Sequence, residues 1–103
     1  MNIQWTEPAV IDLESIRDYI ARDSEYYASE FVERIIGAVE KLNVLPNMGR
    51  KVPEADDENI REIIFYNYRI VYKIKKPDKL IILGVIDAAR DMSNINPLPW
   101  EME

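Results

Sequence analysis

The 103-residue sequence contains no cysteine and no histidine. The first absence excludes disulfides, thiol nucleophiles and zinc–thiolate sites. The second removes the usual general base and the commonest transition-metal ligand. No apolar stretch approaches the roughly 18 residues of a membrane span, and residues 1–7 lack the basic-then-apolar pattern of a signal peptide. We therefore expect a cytoplasmic protein without metal, cofactor or membrane segment.

Glycine is scarce, with 3 residues, and acidic residues outnumber basic ones, so that the net charge is −6. A hydrophobic content of 48% suits one folded domain over residues 1–103. The net charge argues against generic binding to a nucleic-acid backbone. Residues 1–49 carry a charge of −5, whereas residues 50–90 carry +2. Any cationic surface therefore belongs to the middle and later part of the chain.

Two amphipathic helices are predicted in the N-terminal half. Apolar residues recur at helical spacing after the capping residue Thr6, which predicts a helix from Glu7 to Arg22. A closer match to the same pattern predicts a second helix from Tyr26 to Leu45, ended by Pro46. The short connection makes these helices a hairpin, whose apolar stripes must be buried on another layer.

Strand-like segments lie on both sides of the helical hairpin. Asn2–Trp5 alternates polar and apolar residues, and three further runs follow a polar loop over Lys51–Asn59. The runs are Ile60–Phe65, Tyr68–Lys75 and Lys79–Asp87, and their short joints indicate antiparallel hairpins. Because the third run is apolar on both faces, we expect a central strand that is covered on both sides by its own chain or on one side by a partner.

The order β-α-α-β-β-β predicts an α+β fold, an antiparallel sheet with the N-terminal helical hairpin packed on one face. Side-chain alternation in the second run directs Arg69, Lys73 and Lys75 away from the helices. The segment Asp91–Glu103 contains two prolines and is predicted to be a tail with little regular structure. We therefore expect the functional surface on the sheet face that the helices leave uncovered.

Short motifs occur in a fixed order over nearly the whole chain. They are Trp5, Pro46-x-x-Gly49-Arg50-x-Val52-Pro53-Glu54, Ile60-Arg61-Glu62, Tyr68-Arg69-Ile70-Val71-Tyr72 and Ile86-Asp87-Ala88-Ala89-Arg90-Asp91. In this order and length the motifs resemble the RelE/ParE superfamily, the toxins of bacterial type II toxin–antitoxin systems. The segment Pro46–Glu54, taken with Arg61, resembles the ParE branch more than the RelE branch.

The resemblance implies the α+β fold and a toxin that a cognate, ParD-like antitoxin neutralises by wrapping over the sheet and helices. ParE-like toxins of such plasmid-stabilisation modules act on DNA gyrase, whereas RelE-like toxins cleave messenger RNA on the ribosome. A third hypothesis is a non-toxic relative that only binds its antitoxin. DNA binding is expected of the antitoxin and not of this acidic chain by itself.

Four residues would form the site if the chain cleaves RNA: Arg61, Arg69, Asp87 and Arg90. The resemblance assigns a catalytic or phosphate-binding role to Arg69, and Arg90 matches a second family arginine. Two arginines can clamp a phosphate. The structural alternatives are an ion pair of Arg69 with Glu62 on the neighbouring strand and of Arg90 with an adjacent aspartate.

Two features of the RNA-cleaving branch have no counterpart in this sequence. Glu62 or Ile63 stands where that branch has a second lysine, and Asn94–Asn96 stands where it has a tyrosine. Cleavage by a 2′-hydroxyl needs a base, an acid and charge stabilisation at phosphorus. Asp87 could act as the base only with a raised pKa. The sequence therefore favours inhibition by protein binding over catalysis.

Partner contacts are predicted mainly among cationic side chains. The predicted set is Arg50, Arg61, Arg69, Lys73, Arg90 and the tail aromatic Trp100. Trp100 either folds back as an anchor or contacts a partner, because aromatic residues are often interface hot spots. Gly49, which precedes Arg50 in a turn, is predicted to adopt a positive φ.

Overall fold

The computed structural model describes residues 1–101, which form two helices, a five-stranded sheet and short 3₁₀ turns. The strands are β1 Asn2–Trp5, β2 Arg50–Lys51, β3 Ile60–Phe65, β4 Tyr68–Lys75 and β5 Lys79–Asp87. The helices are α1 Glu7–Ala21 and α2 Glu25–Glu40, and the 3₁₀ turns are Lys41–Asn43, Met92–Asn94 and Pro99–Glu101. The predicted α+β fold class is confirmed, with β2 as an addition.

Both helices begin at hydroxyl caps. The Thr6 hydroxyl accepts a hydrogen bond from the Ala9 N–H at 3.2 Å, and the Ser24 hydroxyl accepts one from the Tyr27 N–H at 3.2 Å. The second cap starts α2 one residue before its predicted start. The helix also ends earlier than predicted, because the chain tightens into the 3₁₀ turn Lys41–Asn43.

The sheet is mixed, with the strand order β1-β5-β4-β3-β2. The later strands pair antiparallel, as predicted, whereas β1 pairs parallel with β5, so that Asn2 lies opposite Lys79 and Trp5 opposite Ile82. Parallel pairing requires a long connection, which the intervening helices and strands supply. The expectation of a wholly antiparallel sheet is corrected on this point.

The helices cover one face of the sheet and enclose the first core. Neither helix, at 15 and 16 residues, is long and apolar enough to cross a membrane. The buried residues of this core are Ala9, Ile16, Ile35, Val39, Leu42, Ile70, Tyr72, Ile74, Leu80, Ile82 and Val85. Because β4 and β5 are the central strands, their alternate residues fill this core, as the alternation of the sequence predicted.

The tail covers the opposite face of the sheet and forms a second core. Its buried residues are Val52, Ile60, Val71, Ile81, Leu83, Ile86 and Met92, with Ile95, Leu98 and Trp100 packed against them. Over residues 91–101 the tail has little regular structure, as predicted, with only two short 3₁₀ turns, but it packs against the sheet. Residues 102 and 103 of the predicted tail lie outside the described residues. The tail packs on this face because the second apolar face of β5 would otherwise be exposed to water.

An acidic residue of α1 contacts the backbone of β5 close to an irregularity in the pairing of that strand. The pairing of β5 with β4 shifts after Val71, which lies opposite Gly84. Beyond β1, the Val85 N–H donates a hydrogen bond to the Asp12 carboxylate at 2.9 Å. Burial raises the pKa of Asp12, and the Val85 hydrogen bond and the charge of Arg90 oppose that shift. Asp12 thus satisfies a backbone donor that no strand reaches.

Candidate partner-binding surfaces

Arg69 of β4 lies on the face away from the helices, as predicted, but it is buried, with 8% of its surface exposed. Its Nε donates to Glu62 at 2.5 Å, and its Nη1 and Nη2 donate to the two Glu54 oxygens at 3.1 and 2.8 Å. These hydrogen bonds, that to Glu54 foremost, raise the pKa of Arg69, and the same contact lowers the pKa of Glu54. The guanidinium is therefore already bound by carboxylates of its own chain.

Arg50 extends this cluster at the edge of the sheet. Its Nε donates to the second Glu62 oxygen at 2.7 Å, while most of its side chain stays exposed. The Glu62 carboxylate is fully buried and lies between Arg50 and Arg69. We call the four residues Arg50, Glu54, Glu62 and Arg69 the ion network. Because its two positive and two negative charges cancel, it offers no net attraction to a phosphate.

Arg61 lies on the other face of the sheet and does not join the ion network. It pairs with Tyr72 across β3 and β4, on the face that the helices cover. Its Nη1 donates to the Gly49 carbonyl at 2.8 Å, and its buried Nε has no hydrogen-bond partner within residues 1–101. The Tyr72 hydroxyl donates to the Pro46 carbonyl at 2.7 Å and accepts from the Gly49 N–H at 3.0 Å. Arg61 and Tyr72 thus fix the loop after α2.

Gly49 is required by space and not by its φ angle. None of the glycines described has a positive φ, so the predicted conformational reason is wrong. A Cβ at this position would lie 2.6 Å from the Glu62 carbonyl oxygen and 2.6 Å from the Tyr72 hydroxyl. The loop therefore passes so close to β3 and β4 that only glycine fits.

Asp87 is the last residue of β5, and Arg90 lies in the turn that follows. Asp87 is exposed, and its carboxylate accepts a hydrogen bond from the Ala89 N–H at 2.9 Å. Arg90 is also exposed, and within residues 1–101 its guanidinium pairs with neither adjacent aspartate. The four residues predicted for RNA cleavage are thus divided between two faces of the sheet and an exposed turn. Asp87 holds the turn, and Arg69 is paired with two carboxylates.

Lys73 and Trp100, the remaining predicted contacts, lie on the sheet face that carries the tail. Lys73 is half-buried, and Trp100 packs against the second core from the turn Pro99–Glu101. Trp100 therefore folds back on its own chain. At the far end of β4 and the start of β5, four lysines surround one acidic residue. We call them the basic end: Lys73, Lys75, Lys76 and Lys79, with Asp78 between them.

Exposed tyrosines collect at the opposite end of β4, a feature that the sequence analysis missed. The residues are Tyr19 (67% exposed), Tyr26 (71%), Tyr27 (65%) and Tyr66 (65%), and we call them the tyrosine-rich end. Tyr26 and Tyr27 lie in the first turn of α2, outside the set of buried residues of that helix, Ala28, Ile35 and Val39. Two adjacent aromatics outside the apolar stripe of α2 were the signal available in the sequence.

Ring contacts join Tyr66 and the nearby Tyr68 to Phe31 of α2. The Phe31 ring centroid lies 5.7 Å from that of Tyr66 and 5.8 Å from that of Tyr68. Arg34 donates to the Tyr66 hydroxyl at 3.2 Å, which links the helix to the turn between β3 and β4. Tyr27 and Phe31 also line a shallow pocket. The end of the helical hairpin and the β3–β4 turn therefore form one aromatic surface.

Comparison with known families now adds to this geometry. The family model for the ParE toxin of the type II toxin–antitoxin system parDE matches residues 3–92. The chain belongs to the ParE toxin family. The resemblance inferred from the sequence motifs is thereby confirmed, including its preference for the ParE branch. No curated protein matches the chain.

Solved structures support the fold of this ParE family member. One is described as the chromosomal ParDE TA system from P. aeruginosa, with a TM-score of 0.70, 23% identity and coverage of 84% of this chain and 95% of that chain. Another is described as a YoeB/ParE toxin from Agrobacterium tumefaciens, with a TM-score of 0.57 and 18% identity, covering 84% of this chain and 98% of that chain. At these identities the likeness establishes the shared fold.

Proposed function

We propose that this ParE family member is a growth-arresting toxin that inhibits DNA gyrase by protein–protein contact. The observation that carries the proposal is the pairing of Arg69 with the two carboxylates of Glu54 and Glu62. This arginine is the residue that an RNA-cleaving site would use to bind phosphate. In this chain it binds carboxylates, which removes the free cation that phosphoryl chemistry requires.

The arrangement of the other predicted residues supports the same proposal. A 2′-hydroxyl nucleophile needs a base within hydrogen-bond reach and an acid for the leaving oxygen. Arg61 holds the loop at Gly49, and Asp87 holds the turn at Ala89. Neither is directed toward Arg69, so a phosphate bound there would lack proton-transfer groups. Binding to a protein target needs no such constellation.

We also propose that a ParD-like antitoxin neutralises the chain, since one solved relative is described as a ParDE system. With a net charge of −6, the chain itself is poorly suited to DNA, so DNA binding falls to the antitoxin. Gyrase acts on the chromosome, which places the action of the toxin in the cytoplasm. Its role in the module is that of a plasmid-stabilisation or growth-regulating toxin.

The proposal is tested by titrating the purified chain into a gyrase supercoiling reaction, with and without a twofold excess of the ParD-like antitoxin. We expect supercoiling to fail as the toxin is added and to recover with antitoxin. A parallel reaction with translating ribosomes tests messenger RNA cleavage. Unchanged supercoiling at concentrations that arrest growth would contradict the proposal. Cut transcripts would identify an RNA-cleaving toxin, and harmless expression a non-toxic relative.

A further inference from the structure

We propose that the tyrosine-rich end is the surface through which the chain contacts its target protein, a partner with a basic rim around an apolar projection. The inference rests on the proposed function, in which the chain acts by binding a protein. Tyrosine is enriched where protein interfaces carry most of their binding energy. Here four tyrosines are each about two-thirds exposed, and one of them, Tyr27, lines a shallow pocket. Within residues 1–101 no contact buries the greater part of any of the four.

Tyr66 adds an independent argument, because its backbone is in a conformation that a tyrosine adopts at a cost. Its φ is 53°, within the left-handed region that favours glycine and asparagine. The strain is not repaid by burial, since 65% of the residue is exposed. Residues held in such conformations cluster at binding and active sites. Tyr66 is thus held at the surface, with its ring against Phe31 and Phe65.

The pocket beside these rings provides the place for an apolar projection of the partner. Ile20, Tyr27 and Phe31 form its apolar walls, and Glu30 and Arg34 stand at its margin. Arg34 is held by Glu30 at 3.0 Å and by the Tyr66 hydroxyl. The pocket is therefore preorganised by contacts within the chain, which reduces the entropy lost on binding.

The charge around this end selects the partner. Residues 17–34 carry three basic and five acidic side chains, a net charge of −2. Phosphate backbones have the same sign and are repelled, so nucleic acid does not fit. A second copy of the chain does not fit either, because two surfaces that each carry a net charge of −2 would repel each other. A protein surface rich in lysine or arginine is complementary.

The basic end gives the chain a second, oppositely charged surface. Residues 73–79 carry four lysines and one aspartate, a net charge of +3, at the other end of β4. One partner cannot complement both ends with the same chemistry. We assign the tyrosine-rich end to the target and leave the antitoxin to surfaces beyond it. The two contacts can then be separated by mutation.

The test uses the full-length chain with two variants, Tyr66→Asn and Tyr27→Ala. Asparagine tolerates a positive φ, so Tyr66→Asn removes the ring while the thermal midpoint is unchanged or higher. Val44→Asn, at an 80% exposed residue of the loop after α2, is the matched control. We measure growth arrest on induction, the toxin concentration that half-inhibits gyrase, and affinity for the antitoxin.

Each tyrosine variant should require roughly tenfold more toxin or more to inhibit gyrase and should arrest growth less, as expected for a hot-spot residue. Val44→Asn should match the wild type, and antitoxin affinity should be unchanged in all variants. The inference is overturned if the folded tyrosine variants are as toxic as wild type. It is also overturned if these variants lose affinity for the antitoxin only. If the wild-type toxin arrests growth without inhibiting gyrase, the proposed function fails. Growth arrest by the tyrosine variants, compared with wild type, then tests whether the tyrosine-rich end contacts the target.

Discussion

At the scale of single residues, the ion network explains why two of the cations predicted for function, Arg50 and Arg69, are paired with carboxylates. Glu62 is fully buried and receives a hydrogen bond from Arg50 and another from Arg69. Buried charges are tolerated only when they are paired and hydrogen-bonded. The sequence motif around Arg69 therefore has a structural role in this chain. Its presence alone does not indicate RNA cleavage.

Replacing Glu62 by glutamine should destabilise the fold strongly. The substitution leaves the buried Arg69 guanidinium without one of its charged partners, and such losses cost about 3 kcal/mol or more. Glu58→Gln is the control, since its exposed pair with Lys51 is worth about 0–1 kcal/mol. Urea unfolding of both variants measures the difference. Equal stability of the two variants would contradict the role assigned to the ion network.

A second prediction compares two glycines. Gly49→Ala should lower the free energy of unfolding by about 1–3 kcal/mol, because the new Cβ meets the backbone of Glu62 at 2.6 Å. Gly37→Ala should instead raise it by about 0.5–1 kcal/mol, because Gly37 lies in α2 with open space around the new methyl group. Thermal unfolding of the pair checks the opposite signs. If both variants were less stable than wild type, the space assigned to the new methyl group at Gly37 would be wrong.

Asp12 gives a prediction for pH. Burial raises its pKa in the folded chain above the ordinary value of 3.8. Its contribution to stability is therefore full below about pH 3.8 and is lost as pH rises through the folded-state pKa. Asp12→Asn keeps an acceptor for the Val85 N–H and does not ionise. In urea titrations we expect the stability of this variant relative to wild type to increase as the pH rises from 3.5 to 7. A difference in the free energy of unfolding that does not change with pH would contradict this prediction.

At the scale of elements, the tail is part of the fold because β5 has two apolar faces. Met92 is 1% exposed and seals the second core together with Ile95, Leu98 and Trp100. A protein interior without this cover would leave Val71, Ile81 and Leu83 in water. The tail therefore takes the place that the sequence analysis left open for a partner on this face.

Met92→Ala should lower the free energy of unfolding by about 2 kcal/mol or more, since it opens a cavity in the second core. Met48→Ala serves as the control, because Met48 is 47% exposed and its truncation should cost less than about 0.5 kcal/mol. Chemical unfolding monitored by tryptophan fluorescence reports on both, as Trp100 lies in the affected core. If Met92→Ala were as stable as Met48→Ala, the tail would not be a structural element.

The elements that could be predicted are those whose signals are local. The bounds of β3, β4 and β5 agree with the prediction, because alternation and short hairpin joints lie within each segment. The parallel pairing of β1 and the two-residue β2 depend on contacts between distant segments, which no local pattern carries. At the site, alternation placed Arg69 correctly. The contact of Arg61 with Gly49 could not be predicted, because the loop at Gly49 is brought close to β3 only in the folded chain.

At the scale of the whole molecule, the chain has two ends of opposite charge and a neutral, closed sheet face between them. The acidic, tyrosine-rich end belongs to the helical hairpin and the β3–β4 turn, and the basic end belongs to the β4–β5 turn. Such a distribution suits a small protein that meets two different proteins in turn.

The central claim is that the chain arrests growth by binding gyrase and not by cutting RNA. The most direct measurement is induction of the chain alone in a bacterial culture, with plasmid topology and messenger RNA integrity read from the same samples. The account predicts growth arrest with relaxed or cleaved plasmid DNA and intact transcripts. Arrest with cut transcripts and normally supercoiled plasmid would contradict it.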